Sequence, residues 1–151
     1  MLLSDAKNLA FTLMGEHGLI ENAWTFKFDN AKRRFGCCDY SAKCISLSKE
    51  LVMLNTEERV KNTILHEIAH ALVGRGHGHD WVWKTMAIQI GCNGERCYSN
   101  KDTVMVKGNY EATCPKCGHI HTKFRKPKRT SSCGECSNTF DKERILVFYQ
   151  K

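Results

Sequence analysis

The chain has 151 residues with 23 Lys+Arg against 16 Asp+Glu, a net charge of +7. That length fits one ordinary domain, or one domain of about 100 residues with a small appended unit, and the second reading suits the cysteine pattern better. The longest apolar runs, such as LAFTLM at 9–14, are too short for a membrane span and lack the flanks of a secretory signal, so neither membrane insertion nor secretion is expected and a reducing compartment such as the cytoplasm is.

From the N-terminus, Ser4 is placed to cap a helix in which Ala6, Leu9, Ala10, Leu13 and Met14 recur at helical spacing, with Gly18 as the stop. Trp24, Phe26 and Phe28 alternate with Thr25 and Lys27, which predicts a half-buried strand ending at Asp29 and Asn30. Further short strands over 34–38 and 44–47 would complete a small antiparallel sheet. Asn55 and Glu58 have the spacing of a capping box, and Val60, Ile64, Ile68, Ala71 and Leu72 form one apolar stripe down to Gly74, which predicts a central helix over 56–73. Beyond the loop RGHGHD, Asp80 is placed to cap a helix through Trp81, Met86, Ala87 and Ile90 that stops at Gly91. The chain is expected to divide between Cys97 and Tyr110, giving units 1–98 and 99–151.

His66-Glu67-Ile68-Ala69-His70 lies inside the central helix, so its two histidines are one turn apart on one face and can reach a single zinc ion. Glu67 then stands beside the metal, where it can take a proton from an attacking water and return it to a leaving amine. The bland reading is a pair of surface histidines and a glutamate. The apolar residues on both sides of the trio argue against it, because polar groups in a buried element are costly without a partner. A catalytic zinc needs a third protein ligand. His77 and His79 follow Gly74 and Gly76, whose conformational freedom would let the chain fold back, and either histidine would close the site. The metzincin spacing would put Gly at 73 and His at 76, where this chain has Val73 and Gly76. A ligand from a later helix would have to be Glu95, which follows a helix stop.

Cys114-Pro-Lys-Cys117 and Cys133-Gly-Glu-Cys136 have the spacing of a structural four-cysteine zinc site, with no thioredoxin-like βαβ pattern around either pair to suggest redox chemistry. Between them lie Lys123, Phe124, Arg125, Lys126, Lys128 and Arg129. Cations interleaved with an aromatic ring can follow phosphates and stack a base, so these six are the candidate nucleic-acid contacts; the plain alternative is a solvated hairpin. Charge supports the first reading. Residues 1–98 carry 12 cations against 11 anions, whereas residues 99–151 carry 11 against 5. Of the other cysteines, Cys37, Cys38 and Cys44 are expected to pack as apolar residues by the sheet, while Cys92 and Cys97 could pair or bind metal.

Phe35-Gly36, the ISLS run at 45–48, NTILHEIAHAL at 62–72, HGHDW at 77–81 and the four-cysteine segment together resemble the SprT family, which includes the Spartan-type proteases. The family's HGxxW pattern placed on His77, Gly78 and Trp81 makes His77 the third zinc ligand by resemblance, with His79 on a variable position. The resemblance implies an α+β, zincin-like core with a C-terminal zinc ribbon. It also implies one catalytic and one structural zinc, and a zinc-dependent endopeptidase acting on DNA-bound or DNA-crosslinked proteins in the cytoplasm, nucleoid or nucleus. DNA and DNA-bound proteins are then the expected partners; no recruitment motif for other proteins is evident. The alternative is a non-proteolytic, zinc-containing nucleic-acid-binding protein linked to transcription or replication, which would have no need of Glu67.

Overall fold

The computed structural model describes residues 1–96 and 103–151, which form two units, Met1–Val106 and Lys107–Lys151. The division between Val106 and Lys107 lies inside the window between Cys97 and Tyr110, eight residues after the nominal bound at 98. Both units are small α+β or β structures.

In the first unit, helix α1 (Leu3–Glu16) buries Ala6, Ala10, Leu13 and Met14. Its N-terminus has no side-chain cap: Leu2 occupies the capping position and the Ser4 hydroxyl donates to Asp5 instead. Strands β1 (Thr25–Asp29), β2 (Gly36–Asp39) and β3 (Cys44–Ser48) form a sheet in the order β1-β3-β2. The sheet is mixed, not antiparallel as the sequence suggested, because β1 runs parallel to β3 while β2 runs antiparallel to it. Every residue of the central β3 is buried, its two serines included. Burying them is tolerable because the Ser46 hydroxyl donates to Asp29 Oδ2 at 2.8 Å and that of Ser48 donates to the Ala31 carbonyl at 2.6 Å.

Ser48 also caps a short helix, α2 (Lys49–Leu54), that the sequence reading missed. The expected Asn55–Glu58 capping box does not form. Thr56 caps the central helix α3 (Glu57–Val73), and Asn55 is buried, clasping the backbone N–H and carbonyl of Val104 at 2.7 and 2.9 Å. Helix α3 packs against α1, β2, β3 and helix α4 (Trp81–Gln89), putting Val60, Ile64 and Ile68 in a core with Ile45, Leu47, Trp83 and Ala87. Asp80 caps α4 as expected, accepting from the Trp83 N–H at 3.1 Å.

In the second unit, β4 (Tyr110–Thr113) pairs antiparallel with both β5 (Ile120–Lys123) and β6 (Tyr149–Gln150). Its core is only Ala112, Cys114, Cys133 and Leu146, with Cys136 and Phe148 packed beside them. So small an apolar core calls for a further stabilising element, and the cysteines are placed to supply one. Among the described residues no helix is long and apolar enough to cross a membrane.

Candidate metal centres and catalytic cleft

Helix α3 turns its inner face toward β2 and α4, and that face carries His66, Glu67 and His70. After the helix the chain reverses through Gly74, Gly76 and Gly78, all at positive φ (79°, 99° and 48°), a backbone that side-chain-bearing residues rarely adopt. The reversal delivers His79 over the two helical histidines. Its Nε2 lies 3.0 Å from His66 Nε2 and 3.2 Å from His70 Nε2. Trp83, 1% exposed, floors the cluster, with its ring centroid 4.6 Å from those of His66 and His79 and stacked 5.2 Å from that of His70.

His77 is not part of this cluster. Its Nδ1 meets Asp80 Oδ2 at 3.0 Å, so it braces the residue that caps α4. This corrects the third member inferred by resemblance. The sequence did hold the signal: the His-x-x-x-Trp spacing of His77 and Trp81 recurs two residues later at His79 and Trp83, with Asp80 in the place of Gly. Burial decides between the registers, since Trp81 is 77% exposed and Trp83 is enclosed. Glu95 lines the same cleft but is not in the cluster.

The imidazoles are held neutral. Burial, then the neighbouring His70 and His79, pushes His66 down to about 3; burial and His79 push His70 down to about 4; burial and Arg96 lower His79. Three unprotonated nitrogens converging on one point favour a cation there. In a tetrahedral zinc site, imidazole nitrogens lie about 3.3 Å apart, close to the spacings found here.

Glu67 is buried beneath β2, where it accepts the Cys38 N–H. Burial raises its pKa to about 8, against the opposing pull of the Arg34 guanidinium and that N–H. The carboxylate and the histidines open onto a cleft of about 490 Å³ lined also by Phe35, Tyr40 and Arg75.

The second unit gathers Cys114, Cys117, Cys133 and Cys136. Cys114 Sγ is 3.9 Å from Cys136 Sγ, and Cys117 Sγ is 3.7 Å from Cys133 Sγ. Thiolates on one tetrahedral zinc lie about 3.8 Å apart. The backbone N–H of Cys117, with that of Lys116, pulls Cys114 down to about 6, whereas hydrogen bonding with Cys117 and the crowding of the other sulfurs push Cys136 up to about 12. Four sulfurs so close resist full deprotonation without a cation among them. Both clusters, the four cysteines and the three histidines, could hold a metal ion, and both fit zinc.

Of the expected nucleic-acid contacts, Arg125, Lys126, Lys128 and Arg129 are exposed. Phe124 is half-buried, and Lys123 lies with its Nζ 4.9 Å from the centre of the Phe148 ring, which ties it to packing within the unit. Cys44 is buried and Cys37 and Cys38 half-buried, in keeping with packing roles; Cys92 is buried and in neither metal cluster, and Cys97, its expected partner, lies outside the described residues.

A helix carrying HExxH and facing a short sheet, with a third histidine returned to it by a glycine loop, is an arrangement that could hold a metal ion. The chain matches the SprT-like family over residues 7–105 and belongs to that family, which is associated with metalloprotease-type activity. No curated protein matches it.

Proposed function

We propose that this protein is a zinc-dependent endopeptidase with a zincin-like core, acting on proteins bound or crosslinked to DNA. The observation that carries the reading is the convergence of three neutral imidazoles, from His66, His70 and His79, beside the buried carboxylate of Glu67 at the base of an open cleft. The three histidines would hold the zinc, leaving a fourth position for chemistry, while the four cysteines would hold a second ion with no open position. When bound, the catalytic zinc supplies a Lewis acid for the scissile carbonyl and acidifies the attacking water.

The chain's own residues do the rest. Glu67 accepts a proton from the attacking water and delivers it to the departing amine nitrogen, so one carboxylate serves both halves of the reaction. Trp83 holds the imidazole rings at fixed angles and keeps water from behind them. Among the described residues β2 is an edge strand, and such an edge can pair with the backbone of an extended substrate.

The DNA part of the reading rests on charge. The exposed Arg125, Lys126, Lys128 and Arg129 form one basic stretch in the part of the chain that carries nearly all the net positive charge. Thiolate zinc and DNA-bound substrates both suit the cytoplasm, nucleoid or nucleus. The test is digestion of a DNA-crosslinked protein and of the same protein free, with and without added DNA, before and after chelation. The reading expects cleavage that is lost on chelation, restored by zinc, and faster when DNA is present; cleavage insensitive to chelation would overturn it.

A further inference from the structure

Gly36 stands on β2, directly over Glu67. A methyl group at this position would lie 2.6 Å from Glu67 Oε1, 2.8 Å from its Cγ and 3.0 Å from its Cδ. The strand thus restrains Glu67 through the bare backbone of residue 36. Gly36 is not at positive φ, so neither the turn of the chain nor strand geometry calls for glycine here. What calls for it is the space the carboxylate occupies.

We infer that Gly36 is a positioning residue for the reaction: the absent side chain lets β2 close onto Glu67 and fixes where its carboxylate stands relative to the three histidines. The inference rests on Glu67 being the proton-transfer group of the proposed protease. Its consequence is specific, because the atoms in the way, Cγ, Cδ and Oε1, all belong to the Glu67 side chain and none to backbone. Alanine at 36 keeps its strand conformation and its pairing opposite Leu47, while Glu67 gives way and swings out of its seat. A shift of about 1 Å in a reacting group commonly costs on the order of 100-fold in rate.

The experiment is Gly36→Ala in the full zinc-loaded chain, with Gly15→Ala as control because nothing lies within 4 Å of a methyl group there. For Gly36→Ala the expected result is a kcat lower by on the order of 100-fold with KM changed by no more than about twofold, the mark of an interaction made in the transition state. Zinc content should match wild type even if the thermal midpoint falls by the few degrees that overpacking costs, and the crystal structure should show the Glu67 carboxylate displaced while His66, His70 and His79 stay in place. Combining Gly36→Ala with Glu67→Asp, which draws the carboxylate back by one methylene, should cost less than the product of the two single losses, since both act on one group. Wild-type kcat in Gly36→Ala, or an undisplaced carboxylate in its structure, would overturn the inference. A wild-type chain with no zinc-dependent proteolysis would defeat the functional proposal instead, and the crystallographic comparison would still decide the role of Gly36.

Discussion

Replacing His79 by alanine separates the arrangement found here from the one that the HGxxW pattern implies. His79 Nε2 stands 3.0 and 3.2 Å from the other two nitrogens of the cluster, whereas His77 points to Asp80, both of them about 40% exposed. Loss of a residue that merely orients a metal ligand typically costs about 10- to 100-fold in affinity. Removing a ligand itself should therefore cost at least about 100-fold, or about 2.8 kcal/mol. His77→Ala removes only an exposed pair, of the kind that contributes about 0–1 kcal/mol, and so should change zinc affinity by less than about tenfold. The assay is dialysis against a zinc buffer of set free concentration followed by elemental analysis. Wild type and His77→Ala should retain two zinc ions per chain, and His79→Ala one. The Trp83 stack on His70 offers a second readout in tryptophan emission, which should change with metal in His77→Ala and not in His79→Ala. A His77→Ala protein that loses one zinc beside a His79→Ala protein that keeps both would refute the assignment.

Replacing Cys114 and Cys117 together by serine should remove one zinc per chain and leave residues 107–151 open to limited proteolysis, while the first unit stays resistant; an unchanged zinc content would refute the four-cysteine site. Neutralising Arg125, Lys126, Lys128 and Arg129 should weaken DNA binding and reduce the slope of log affinity against log salt by about 0.7–0.9 for each phosphate no longer neutralised, and an unchanged slope in a titration over salt would mean that DNA binds elsewhere on the protein. In the chelated protein, His66 and His70, lowered to about 3 and 4 from 6.5, contribute stability above pH 6.5 that is lost as pH falls. Glu67, raised to about 8 from 4.5, contributes stability below pH 4.5 that is lost as pH rises through 8. Between pH 4.5 and 6.5 the unfolded chain binds a net one more proton at these three groups, and between 6.5 and 8 one fewer, so stability should rise and then fall by about 1.4 kcal/mol per pH unit. A tryptophan-monitored thermal midpoint should peak near pH 6.5, and Glu67→Gln should flatten the alkaline limb; a wild-type midpoint still climbing to pH 8 would contradict the burial of Glu67.

Much of the site was legible because its signals are local. The apolar stripe from Val60 to Leu72 gave α3, the i, i+4 spacing gave His66 and His70 one face, and the paired CxxC motifs brought the four cysteines together as expected. Signals that depend on tertiary context failed. Asn55 had the spacing of a helix cap but is used to clasp Val104, 49 residues away, so Thr56 caps α3 instead. The parallel pairing of β1 with β3 arises because β2 is laid on the far side of β3, a choice invisible to residue alternation. His77 and His79 offered the same spacing to an aromatic residue. Only the burial of Trp83 and the exposure of Trp81 distinguish them.

If Glu67 performs the proton transfer in proteolysis of DNA-bound proteins, Glu67→Gln should digest a protein crosslinked to DNA far more slowly than wild type does. Glutamine has nearly the same shape as glutamate but cannot take the proton, so zinc content and DNA affinity should be unchanged while the rate falls by on the order of 10² to 10⁴ or more. Equal rates for the two proteins would rule out that role for Glu67, and an inactive wild type with its full complement of zinc, with DNA and without it, would rule out proteolysis of DNA-bound proteins.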